Sequence, residues 1–180
     1  MEDVRNMICI PKKTTAVCVG TIITVFVVLL SLHVWAYENE PIRFRGTKWG
    51  TPIEKMHKMV LVADFGSSKY YKKKSEKMAM GAAKLESVIY GFYRGKFESV
   101  LIVFRSESNY SALKRIFFEH HGDGYGPDHP MIVFHWFGID VNITMDYDHS
   151  EKHGSIKYSF KPIQKERERD IKAAAAQVDH

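Results

Sequence analysis

The strongest constraint on this chain is the apolar run inside "KKTTAVCVGTIITVFVVLLSLHVWAYENE", residues 12–40. Across residues 14–37 there is no formal charge unless His33 is protonated. As a helix, that segment would measure about 36 Å at about 1.5 Å per residue, enough for a hydrocarbon core of about 30 Å. Runs this long and charge-free are rare in soluble cores. Arg5, Lys12 and Lys13 precede the run, whereas Glu38 and Glu40 follow it. The positive-inside bias predicts residues 1–13 in the cytoplasm, a transmembrane helix over 14–37, and an exported C-terminal domain. The protein is then a single-pass protein of the inner (cytoplasmic) membrane, with Trp35 and Tyr37 as interfacial anchors. The competing reading is a cleaved signal peptide: "VWA" puts Val34 and Ala36 at the small-residue positions of a cleavage site, which would release a secreted or periplasmic domain. The run exceeds the usual signal-peptide core of about 7–15 residues, which favours a retained anchor. Both readings export the domain.

What remains has room for one domain of about 120 residues and a tail. At 45% hydrophobic and 26% charged, the chain is not wholly disordered. Most of the net charge of +5 lies beyond the apolar run, since residues 1–36 hold three basic and two acidic side chains. This is short of the clustered charge of a nucleic-acid binder, so no nucleic-acid partner is expected. Cys9 and Cys18 both lie in the N-terminal segment, which excludes a disulfide scaffold or a cysteine-ligated metal in the domain.

Residues 38–47 read as a polar linker, 48–163 as the exported α+β domain and 164–180 as a tail. In "WGTPIEKMHKM", Thr51, Pro52 and Glu54 have capping-box spacing and predict a short helix ending near Met59. "VLVAD" (60–64) reads as a buried strand, and "GSSKYYKKKSEK" (66–77) as a turn into an exposed basic strand. "LESVIYGFYRGKFESVLIVFRS" (85–106) gives two strands around a turn at Arg94-Gly95-Lys96. In the second, Glu98, Val100, Ile102 and Phe104 share one face, and Phe97, Ser99, Leu101 and Val103 the other. "SNYSALKRIFFEHHG" (108–122) is a second helix, capped by Ser108 or Asn109, with Leu113, Ile116, Phe117 and His120 on its stripe and Gly122 ending it. Strands at 131–137, 141–148 and 155–161 follow, the last two strictly alternating, as in an antiparallel sheet with one dry face. The order helix–strands–helix–strands suggests two units, each laying a helix on an antiparallel sheet. "QKERERDIKAAAAQVDH" favours helix but has no apolar stripe, which predicts a solvated, charged, Ala-rich tail.

"FRGTKWG", "YGFYRGKFESVLIVF", "SNYSALKRIFFEHHGDGYGP" and "HWFGIDVNITMDYD" together resemble a group of small uncharacterised bacterial envelope proteins. That resemblance spans residues 44–162. It implies an exported α+β domain, and because the group has no assigned reaction it implies no catalytic residue.

Chemistry-bearing clusters are few. His129 and His135, with Asp146 and Asp148, are the candidate metal ligands, since imidazole and carboxylate together suit zinc. Against this, HExxH is absent, and His120 and His121 are adjacent, so they diverge on a helix. Asp146 and Asp148 can pair on one strand face, but a polar outer face explains them equally. No nucleophile elbow or phosphate loop is present, and no cofactor is expected. In "KYYKKKSEK", Lys69, Lys72, Lys73 and Lys74 are candidates for contact with an anionic lipid surface. The expected function is a non-catalytic binding or assembly domain, tethered to the bilayer through 14–37 and holding an envelope protein or anionic surface. The rival is an extracytoplasmic metal-dependent enzyme using the His/Asp-rich second half.

Overall fold

The computed structural model describes residues 37–126 and 131–178. In chain order its elements are β1 (Arg43–Phe44), β2 (Thr47–Lys48), a 3-10 turn (Ile53–Lys55), β3 (Met59–Phe65), β4 (Ser68–Lys73), β5 (Ala79–Met80) and β6 (Ala83–Lys84). Then come β7 (Ser87–Tyr93), β8 (Lys96–Arg105), α1 (Glu107–His121), β9 (Met131–Phe137), β10 (Val141–Asp148), β11 (His153–Phe160) and α2 (Lys161–Val178). The fold is α+β: seven strands form one antiparallel sheet in the order β3-β4-β7-β8-β11-β10-β9, and the two helices accompany it. The observed order is strands–helix–strands–helix, so the expected pair of helix-first units is corrected to two meanders that meet at β8 and β11. Of the expected transmembrane segment over 14–37, residues 14–36 lie outside the described residues. Among those described, no helix is long and apolar enough to cross a membrane.

Alternation drives the sheet. In β10, Val141, Ile143, Met145 and Tyr147 are buried, while Asn142, Thr144, Asp146 and Asp148 are half-buried. β7 and β8 join through Arg94-Gly95, whose φ values of 47° and 73° give the left-handed pair that a two-residue hairpin requires. One face of the sheet is the core, formed by Val88, Tyr90, Phe92, Val100, Ile102, Phe104, Ile156 and Tyr158. α1 covers it with Tyr110, Leu113, Phe117 and His121, a stripe turned slightly from the expected one, since His120 is exposed. Its cap is Ser106, whose Oγ accepts from the Asn109 N–H at 3.4 Å, rather than Ser108 or Asn109. A bulge in the β7–β8 pairing moves Phe97 to the core face, against the expectation from simple alternation, so that Glu98 and Phe97 are both buried.

The helix expected up to Met59 is reduced to a single 3-10 turn. The reason is that the sheet claims its backbone: Gly50 N–H donates to Phe97 O, Phe97 N–H to Thr51 O, and Ile53 N–H to Gly95 O, each at 2.8–3.0 Å. Thr51 Oγ donates to Lys48 O instead of capping. "VLVAD" is likewise not buried, because β3 is the outermost strand of the sheet.

Residues 37–41 are a docked strap and not a free linker. Tyr37 Oη donates to Val141 O at 2.9 Å, and Asn39 Nδ2 to His120 O at 2.8 Å. The Glu40 carboxylate accepts the N–H groups of Ile139, Asp140 and Val141, and Trp49 Nε1 donates to Pro41 O at 2.7 Å. Trp49 stacks on Phe97 with ring centroids 4.8 Å apart.

The tail is also docked. Ile163 is buried, and the polar side chains of α2 reach the end of the sheet. Tyr93 Oη donates to Asp170 at 2.6 Å, Lys96 Nζ meets Glu166 at 3.1 Å, and Arg167 Nη1 meets Glu98 at 3.2 Å. Burial raises the Glu98 carboxyl above its ordinary value, with Arg167 pulling the other way. Glu98 therefore binds its proton more tightly folded than unfolded, and ionising it costs stability as pH rises from the unfolded value through the folded one. Glu98→Gln should leave stability unchanged near pH 4 and raise the melting temperature relative to wild type by pH 7. Arg167→Ala strands a buried carboxylate and should cost about 2 kcal/mol at pH 7. Paired thermal melts at the two pH values check both, and a Gln variant less stable at pH 7 contradicts the sign.

Candidate functional site

Strand geometry disperses the four lysines singled out in the sequence. Successive residues of β4 point to opposite faces. Lys69 pairs with Asp64 at 2.9 Å, and their mutual hydrogen bond lowers the Asp64 pKa and raises that of Lys69. Lys72 lies at the open face of the sheet, and the Lys74 N–H donates to Lys58 O. Lys73 alone turns into a depression of about 630 Å³, where Lys48, Lys55, Lys58, His57, Thr47 and Thr51 join it.

Three short backbone devices assemble this depression. The β1–β2 hairpin turns through Arg45 and Gly46, at φ 45° and 83°, and presents Lys48. The 3-10 turn after Pro52 carries Lys55. Lys58 adopts a left-handed backbone, φ 62°, and its carbonyl is fixed by Lys74. Among the described residues, no carboxylate lines the depression. Among the described residues, none of Lys48, Lys55, Lys58 and Lys73 lies in an ion pair. Four lysines outside any described ion pair, lining one depression with two threonines, form a basic field suited to an anion. Lys48, Lys55, His57 and Lys58 were missed because "KWGTPIEKMHKM" reads as a helix, which would scatter them. Their density, with Glu54 as the only acid among them, was the available signal.

The described candidate metal ligands, His135, Asp146 and Asp148, are each engaged within the sheet or its turn. His129 lies outside the described residues. His135 Nδ1 is 3.2 Å from Thr144 Oγ1, and its ring stacks on Phe137. Asp146 accepts from the Ser155 hydroxyl and N–H at 2.6 and 3.1 Å. Asp148 closes the β10–β11 turn, where bonds from the Ser150 hydroxyl and the Glu151 and Ser150 N–H groups lower its pKa. Among the described residues, no three His, Cys, Asp or Glu side chains are grouped to hold a metal ion.

The face of the sheet turned away from α1 has its own hollow of about 370 Å³. Val62, Ala63, Tyr70, Ile89, Gly91 and Leu101 supply most of its wall, with Lys72 and Ser99 at its rim. Gly91 is required there: a Cβ would lie 2.2 Å from Ser99 Oγ and 3.3 Å from the Tyr70 ring.

No family model, curated protein or solved structure matches this chain.

Lys58 links conformation to charge. A non-glycine residue in the left-handed region costs about 1 kcal/mol, a cost that glycine avoids. Lys58→Gly should therefore be at least as stable as wild type in urea denaturation while removing one charge from the depression. A loss above about 1 kcal/mol would give the lysine side chain a structural role instead.

Proposed function

We propose that this protein is a membrane-tethered, non-catalytic binding module whose exported domain holds an anionic group in the lysine-lined depression. The observation that carries this reading is that Lys48, Lys55, Lys58 and Lys73 line one cavity with no carboxylate among its described lining residues. Tethering and export rest on the charge-free run over residues 14–37 and on the basic residues before it. The resemblance to exported envelope proteins points the same way. A binding role suits the site better than a hydrolytic one, because its described lining brings together lysines and threonines, with no carboxylate among them to pair with His57.

Calorimetric titration of the detergent-solubilised full chain with inorganic pyrophosphate tests the site. Binding is expected to weaken about tenfold or more between about 50 mM and about 300 mM NaCl, as screening shortens the reach of the lysines. It should be lost in Lys55→Glu/Lys58→Glu/Lys73→Glu. Equal binding by that variant refutes the site. For placement, full-length protein should stay in the membrane pellet after alkaline carbonate washing. Its α2 should be cut by protease added outside spheroplasts, and a full-length chain in the soluble fraction would reject the tether.

A further inference from the structure

β3 closes one end of the sheet, with β4 on one side and, among the described residues, no strand on the other. Exposed edges are ordinarily protected by lysines, prolines or inward charges, because their unpaired N–H and C=O groups recruit other chains. β3 has little of this protection. Its sequence, "MVLVADF", carries one charge, Asp64, and that charge is already paired with Lys69. Val60, Leu61, Val62 and Phe65 are 39%, 47%, 47% and 73% exposed, an apolar rim that faces water. A bulge between Leu61 and Ala63 is the one protective feature.

The two faces beside this edge differ in chemistry. Tyr71 packs against the core ring of Phe92, so Lys73, two residues on, shares the helix-covered face. Lys73 lines the lysine depression, and Lys58 lies at the start of β3 on the same cavity. On the opposite face, Val62, Ala63 and Tyr70 open onto the apolar hollow with Ile89 and Leu101. A strand added alongside β3 would send alternate side chains to these two faces.

We infer that β3 accepts, as an eighth strand, an extended segment of another protein in which apolar and acidic side chains alternate. The apolar set enters the Val62–Tyr70–Leu101 hollow, and the acidic set meets Lys58 and Lys73. The backbone of the segment pairs with the free edge of β3. The inference rests on the anion-binding reading of the depression, because it assigns that site its acidic partner. A second copy of this chain is the poorer occupant: a parallel β3–β3 pair would bring together two sets of Lys58, Lys72, Lys73 and Lys74, and an antiparallel pair would set each against Phe65 and Lys69, with only the Lys69-paired Asp64 as an acid.

The test uses the full chain in detergent and three labelled peptides, VEVEVEVE, the block isomer VVVVEEEE and the basic analogue VKVKVKVK, read by fluorescence anisotropy and amide hydrogen exchange. The alternating acidic peptide should bind at least about tenfold more tightly than either control and slow exchange across β3. Val62→Glu should abolish this binding while leaving pyrophosphate binding and the melting temperature unchanged, and Lys58→Glu/Lys73→Glu should weaken it. Equal binding of the block isomer, or binding without protection of β3, overturns strand addition. If pyrophosphate binds and no peptide does, this inference fails alone; if pyrophosphate also fails, the reading beneath it fails too. Protection of β3 that rises with protein concentration in the absence of peptide would make a second copy the occupant and reject the inference.

Discussion

The pairing of β8 with β11 is the constraint on which the other elements depend. It joins the meander β3-β4-β7-β8 to the meander β9-β10-β11, aligning Val100, Ile102 and Phe104 with Tyr158, Ile156 and Gly154. These side chains are almost wholly removed from water, and at roughly 25 cal/mol per Å² such burial dominates the favourable side of folding. Gly154 belongs to this join, because a Cβ there would lie 2.5 Å from the Phe104 ring. α1 covers the core face, whereas α2 fastens one end of the sheet through Tyr93, Lys96 and Glu98. The open hollow lies beside β3, the end strand of the sheet among the described residues.

Legibility from sequence tracked how locally each element is determined. The β7–β8 turn and the alternation of β10 and β11 are set by residues close in the chain, and the structure has them where the pattern places them. Residues 50–55 carry a capping-box pattern, yet the chain edge near β8 takes their N–H and C=O groups first. A local rule cannot weigh a partner that lies forty residues away. For "VLVAD", an unbroken apolar run signals burial on both faces, but rank in the sheet order decides burial, and sequence does not encode that order locally. The bulge at Glu98 is similarly invisible, and it reassigns Phe97 to the other face.

The candidate site was the least legible part. Its lysines come from three separate stretches around residues 48, 55–58 and 73, and a charge run such as "KYYKKK" advertises the wrong members. Alternation along β4 sends Lys72 and Lys73 to different faces, so a cluster in sequence is not one in space. In α2 the reverse holds. With no apolar stripe it reads as unattached, yet Glu166, Arg167 and Asp170 fasten it to the sheet by charge. Hydrophobic periodicity is blind to a helix held this way.

The strap at residues 37–41 bears on how such a chain would mature. Its first described hydrogen bond is made by Tyr37, the residue immediately after Ala36. A peptidase cutting at that peptide bond would remove none of the described contacts of the domain and would leave the Glu40 carboxylate seated among its three amides. On the membrane-tethered reading proposed above, cleavage there would free the domain with those described contacts in place. On that reading, one folded unit would serve either as a fixed or as a diffusing species.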